Sequence, residues 1–170
     1  MNPRRWITLF AAALTLLVAP ATAAAAQTYS DTVSGYEYAF TSTDGRFAGT
    51  ASGALPGTWN ADVRHTALCR SCTPTARITG GSFSLVTARN GAPALVAGDF
   101  VGGTVQLMNV GANCSNETFA VDGILGHVGW WSAGSGTGRF RVTLTHYRHS
   151  ILGRCVTYGA SVRGTLTLTL

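Results

Sequence analysis

Apolar and polar residues alternate along most of the chain from residue 35 onward, which is the pattern of half-buried β-strands. Thr, Val, Tyr and Phe are frequent in the alternating segments, and clusters of Gly, Pro, Asn and Asp separate them. No convincing helical period appears in this region. The pattern predicts strands over residues 35–41, 46–55, 58–68, 76–89, 94–110, 119–128, 139–149 and 155–170. Residues 27–34 are predicted to form a loose or edge segment.

Several predicted strands are long and contain glycines, among them Gly49, Gly81 and Gly102. Glycine weakens a strand unless a bend, a bulge or a close backbone approach requires it. Long antiparallel strands that curl and are joined by short connections favour a closed barrel. We therefore predict a single all-β domain, an antiparallel up-and-down barrel of about eight strands, with a two-sheet β-sandwich as the alternative fold.

The first 26 residues have the features of a secretory signal peptide. Arg4 and Arg5 precede an apolar run over residues 6–18, and Pro20 is followed by small residues with an A-x-A cleavage site. The run is shorter than the ~20 residues that a membrane-spanning helix needs. We expect residues 1–26 to be removed and residues 27–170 to be secreted, extracellular or periplasmic, without a membrane span; the Arg- and Ala-rich signal is typical of bacteria.

The charged residues exclude several kinds of chemistry. All 12 basic residues are Arg, so a Schiff-base lysine and a P-loop lysine are impossible. The Arg residues are scattered rather than interleaved with aromatic residues, so no nucleic-acid partner is predicted. His146 and His149 would point to opposite faces of one strand, which argues against a shared metal ion. No cofactor is predicted.

The chain contains four cysteines, Cys69, Cys72, Cys114 and Cys155. An even number in an oxidising compartment predicts two disulfides. Of the three possible pairings we favour Cys69–Cys72 with Cys114–Cys155. In an up-and-down barrel the connections after odd-numbered strands share one end, so all four cysteines fall at that end, here named the cysteine end.

One group of polar side chains stands out as a candidate binding site. Alternation places His65, His146, Arg148 and Tyr158 on inward rows near the cysteine end. Such groups at a barrel mouth can orient a ligand in a cavity. The alternative is that they bond only to water or to one another at the end of the barrel.

A second candidate is the Gly- and Ser-rich connection that contains Trp130 and Trp131 at the opposite end of the barrel. Two adjacent tryptophans can cap a cavity, or contact a protein partner or a carbohydrate. The alternative is that one ring packs on the barrel while the other is partly exposed.

These observations predict a secreted, non-catalytic barrel that binds a small, mostly apolar ligand. The alternative is a module that binds an extracellular protein, as an inhibitor or surface-associated factor, through its loops. A third hypothesis, an enzyme with His65 or His146 as general base, has no motif to support it. With Glu37 and Glu117 as the only glutamates, a carboxylate pair for glycoside hydrolysis is not predicted.

Overall fold

The computed structural model describes residues 25–68, 74–109 and 112–170, and these form a closed barrel of eight antiparallel strands. Each strand pairs with its sequence neighbours, and β1 pairs with β8 to close the barrel. The strands are β1 (Thr28–Phe40), β2 (Asp44–Gly53), β3 (Gly57–His65), β4 (Thr75–Arg89), β5 (Ala92–Asn109), β6 (Glu117–Trp130), β7 (Gly136–Ile151) and β8 (Arg154–Thr169). The predicted up-and-down barrel is confirmed, and the sandwich alternative is wrong.

The chain segment before residue 35 differs from the prediction. Residues 28–34 belong to β1 and pair with the end of β8, from Thr28 opposite Thr169 to Gly35 opposite Val162. Alternation here is masked because a buried acid, Asp31, occupies an inward position beside the buried Val33. Pairing on both edges of β8 is what closure of the barrel requires, so this segment is structural and not loose.

Aromatic side chains fill the middle of the barrel. The ring of Phe140 lies 5.3 Å from that of Trp59, 6.3 Å from Phe83 and 6.0 Å from Phe100, centroid to centroid. These tilted and edge-to-face contacts are the arrangements that aromatic pairs prefer. The Trp59 indole N–H also donates to the Thr50 carbonyl at 3.1 Å. The middle of the barrel is therefore packed solid, and space for a ligand has to lie toward an end.

Close contact between strands explains two of the strand glycines. Gly35 of β1 and Gly49 of β2 are directly opposite each other. A Cβ atom on either one would collide with backbone atoms of the facing strand. Glycine at these positions allows the tight coiling of the barrel, as the distribution of glycines predicts.

The disulfide Cys114–Cys155 joins a 3₁₀ turn, Ala112–Cys114, to the start of β8 at the cysteine end. The two residues are 41 positions apart, with their Cα atoms 5.3 Å from each other. The predicted disulfide between Cys114 and Cys155 is confirmed. Cys69 and Cys72 lie outside the described residues, so their disulfide stays a prediction. Within the described ranges no helix has the length and apolar character to cross a membrane.

Candidate functional site

The barrel interior opens at the cysteine end into a cavity of about 410 Å³. Its apolar walls come from four strands and one connection: Phe40, Leu68, Val105, Leu107, Phe119 and Leu144. Polar side chains complete the lining: Glu37, Thr41, Ser42, Asp44, His65, Glu117, His146 and Thr157. Small-molecule sites are typically concave, mostly apolar, and roughly 300–1,000 Å³ in volume.

A second depression, of about 620 Å³, lies on the outer face of β2, β3 and β4. It is lined by exposed charged side chains, including the ion pair between Arg46 and Asp62 at 3.8 Å. Exposed pairs of this kind are ordinary features of a solvated sheet surface. The cavity at the cysteine end, with its apolar walls, is therefore the better candidate, despite its smaller volume.

A bulge in β1 brings two side chains to the cavity. Glu37 is opposite Phe47 and Ala39 is opposite Arg46, so Tyr38 is an extra residue without a partner on β2. A bulge reverses which residues face inward beyond it. As a result both Glu37 and Phe40 line the cavity, although they are three positions apart.

His146 forms a buried polar contact with Glu37 in the cavity wall. Its Nε2 lies 2.6 Å from Glu37 Oε2, and the two side chains are 11% and 3% exposed. The rings of Phe40 and Phe119 flank the imidazole, each with its centroid 5.0 Å away. Because a carboxylate can only accept hydrogen bonds, Nε2 carries the hydrogen and donates it to Glu37. The ring is therefore fixed in one orientation before any ligand arrives.

Arg148 does not pair with Glu37; its guanidinium forms an ion pair with a second carboxylate, that of Glu117. Its guanidinium NH1 donates to Glu117 Oε1 at 2.6 Å, and the two side chains are 9% and 1% exposed. Good geometry is needed to offset the desolvation of such a buried pair. Glu117 lines the cavity, whereas Arg148 is not part of the lining. Arg148 is thus a partner of Glu117 rather than a direct cavity residue.

His65, at the end of β3, does line the cavity. Its Nδ1 lies 2.8 Å from the Thr66 carbonyl oxygen. Since a carbonyl oxygen accepts, Nδ1 is the donor, and Nε2 of the neutral ring is left as an acceptor. The structure therefore brings His65 and His146 to one cavity, as alternation along their strands predicts.

The inward position predicted for Tyr158 is wrong, because this side chain is 71% exposed on the outside of the barrel. Tyr147 is opposite Gly159 and Arg148 is opposite Thr157, so β8 carries an extra residue at Tyr158. This bulge shifts the alternation, and Thr157 lines the cavity in its place. The Tyr158 ring lies beside Tyr147, 6.2 Å between centroids.

Trp130 and Trp131 do not line the cavity. The Trp130 ring packs edge-on against Tyr29 at 6.3 Å, and the Arg89 guanidinium lies 4.6 Å from its centroid. Trp131 is 63% exposed, with a positive φ of 68°. One tryptophan is therefore packed and the other is presented to solvent, at the end opposite the cavity.

Asp44, the first residue of β2, forms part of the rim. The hydroxyls of Thr41 and Thr43 donate to its Oδ2 at 3.0 and 2.8 Å. These hydrogen bonds, from Thr43 first and then Thr41, lower the pKa of the Asp44 carboxyl. The rim therefore carries a fixed negative charge on an ordered turn.

Sequence analysis missed Glu37 and Glu117 as members of the site. Glu37 follows Val33 and Gly35 on the inward row of β1. The sequence pattern predicts a loose segment for residues 27–34, so it does not identify this row. Glu117 precedes Phe119 and Val121 at a spacing of two, the signal that it begins an inward row of β6. Within the described ranges, no three His, Cys, Asp or Glu side chains are grouped to hold a metal ion.

Comparison of the chain with protein-family models, with curated proteins and with solved structures finds no significant match.

Proposed function

We propose that this protein is a secreted barrel that binds a small, mostly apolar ligand in the cavity at its cysteine end. The observation that carries the proposal is the cavity itself, with apolar walls and a histidine held in place by a buried carboxylate. A site that is rigid before binding loses less conformational entropy when the ligand arrives. Packing of Trp59 and Phe140 below the cavity supports its floor.

Secretion is supported by two independent features. The N-terminal 26 residues have the basic, apolar and small-residue regions of a signal peptide. The disulfide between Cys114 and Cys155 is of a kind that persists in oxidising compartments. A bacterial cell envelope or culture medium is the setting that we propose.

Binding can be tested by titrating the protein with a fluorescent apolar dye whose emission rises in a dry environment. Leu107 lines the cavity, so Leu107→Phe would reduce its volume while keeping the lining apolar. Leu152 is fully exposed in the connection between β7 and β8, so Leu152→Phe is the matched control. We expect at least a fivefold loss of dye affinity in Leu107→Phe and none in the control. Equal affinities in all three proteins would contradict binding in the cavity.

A second candidate function, binding of an extracellular protein, is favoured by one observation at the opposite end. The Trp131 N–H donates to the Leu95 carbonyl at 2.8 Å, which holds this bulky residue at positive φ with its ring in solvent. A left-handed backbone is costly for such a residue. If the ring contacts a partner at the cell surface, Trp131→Ala will abolish retention of the protein on cells of the source organism, whereas Leu152→Ala will not. Equal retention would contradict this candidate.

A further inference from the structure

One ring nitrogen of His146, Nδ1, has no hydrogen-bond partner among the described residues. Nε2 is committed to Glu37, so in the neutral ring Nδ1 is a hydrogen-bond acceptor. Asp31 Oδ2 is the one fully buried side-chain polar atom of the described residues that lacks a partner, so Nδ1 is not sealed from solvent. The cavity therefore presents an oriented acceptor beside the rings of Phe40 and Phe119.

The charges of the lining restrict what can bind there. Three carboxylates line the cavity, those of Glu37, Asp44 and Glu117, and none of the described lining residues is an arginine. Glu117 is already paired with Arg148, so a ligand carboxylate would meet mainly the like charges of Glu37 and Asp44, which disfavours it. A neutral hydroxyl group has no such penalty and can donate to Nδ1. A ligand without a donor would displace water from Nδ1 and leave it unpaired.

We propose that the ligand class is a neutral ring compound that carries a hydroxyl group, and that this hydroxyl donates to Nδ1 of His146. This inference rests on the proposed binding function. The ring of the ligand lies among Phe40, Leu107, Phe119 and Leu144, which supply the apolar walls. Glu37 is a positioning residue, because it fixes the imidazole through Nε2 rather than contacting the ligand hydroxyl.

The test compares three probes of one shape: naphthol, its methyl ether and naphthoate. The ether lacks the donor and naphthoate carries a carboxylate instead. Isothermal titration calorimetry of the three probes in one buffer gives the three affinities. One hydrogen bond to an oriented acceptor predicts that naphthol binds about tenfold tighter than the ether. Naphthoate is expected to bind most weakly.

A double variant shows whether the preference comes from His146. Glu37→Leu with His146→Phe replaces the buried pair by apolar side chains and keeps a ring between Phe40 and Phe119. Naphthol and its ether should bind this variant equally well. If the variant fails to fold, the affinities of naphthol and its methyl ether for the wild-type protein still test whether the site prefers a hydroxyl donor. Equal binding of naphthol and ether to wild type overturns this inference and leaves the proposed function standing; failure of all three probes to bind overturns both.

Discussion

His146 and Glu37 are 109 residues apart in the chain, yet Nε2 and Oε2 lie 2.6 Å from each other inside the barrel. Glu37 is on β1 and His146 is on β7, and both strands pair with β8. The contact therefore exists only because β1 closes the barrel against β8 and brings its bulged end toward β7. Closure of the fold and assembly of the cavity are the same structural event.

Breaking this pair from one side should destabilise the protein. Glu37→Ala leaves the imidazole in a buried place without its acceptor, so we expect a loss of about 1–3 kcal/mol in the free energy of unfolding. The double variant Glu37→Leu with His146→Phe should recover most of that loss, because it removes both polar groups. Urea unfolding of the three proteins measures the difference. A Glu37→Ala variant as stable as wild type would show that the pair does not form.

The disulfide at the cavity end should stabilise the fold to a measurable degree. Replacing Cys114 and Cys155 together by Ser removes a cross-link between residues 41 positions apart. For a loop of this length we expect a loss of about 2–4 kcal/mol, largely because the unfolded chain gains conformational freedom. Thermal and urea unfolding under non-reducing conditions measure this loss. An unchanged unfolding midpoint would contradict the prediction.

Acid should weaken the contact of Asp122 with Arg139 on the outer face. The Arg139 Nε and NH2 groups donate to the two Asp122 oxygens at 2.7 Å each. The hydrogen bond from Arg139 is the main cause of the lowered pKa of Asp122. A lowered folded-state pKa gives stability that is present above the unfolded value, about 3.9, and is lost as the pH falls through the folded value.

Asp122→Asn should therefore be less stable than wild type at pH 7, and the two should converge below about pH 4. The difference at pH 7 is expected to stay under about 1 kcal/mol, because the contact is accessible to solvent. Unfolding free energies measured from pH 7 downward give both curves. A constant difference at every pH would contradict the assignment to this carboxyl.

A methyl group at the crowded junction of β1 and β2 should be poorly tolerated. In Gly49→Ala the new Cβ would collide with the Ser34 carbonyl oxygen, so a strand has to move. We expect a loss of about 2 kcal/mol or more, in the range found for overpacked cores. Gly159→Ala is the control, since its Cβ would meet nothing closer than Tyr147 at 3.9 Å. Equal effects of the two substitutions would contradict the role of Gly49 in coiling.

Much of the fold follows from local pattern, because alternation and turn residues act over a few positions. They predict the strand order, the barrel and the inward rows that carry His65 and His146. They fail at Tyr38 and Tyr158, where single extra residues reverse the alternation. The position of a bulge depends on how tightly the closed barrel twists and coils, and the sequence around Tyr38 and Tyr158 does not indicate that position.

The composition of the site was harder to predict than the fold. Glu37 and His146 become partners through closure, which no spacing along the chain encodes. Arg148 was expected to face a ligand, but its guanidinium is used by Glu117. Sequence pattern can place a side chain on a face, whereas its partner depends on which strands meet across the interior.

The most direct test of the central claim is native mass spectrometry of the protein purified from a culture of its own source, followed by a denatured spectrum of the same sample. We predict a native mass that exceeds the mass of the denatured, disulfide-bonded chain by the mass of one small molecule. This excess should disappear on denaturation and be absent from Leu107→Phe purified in the same way. A native mass equal to that of the denatured chain would contradict a ligand-binding cavity.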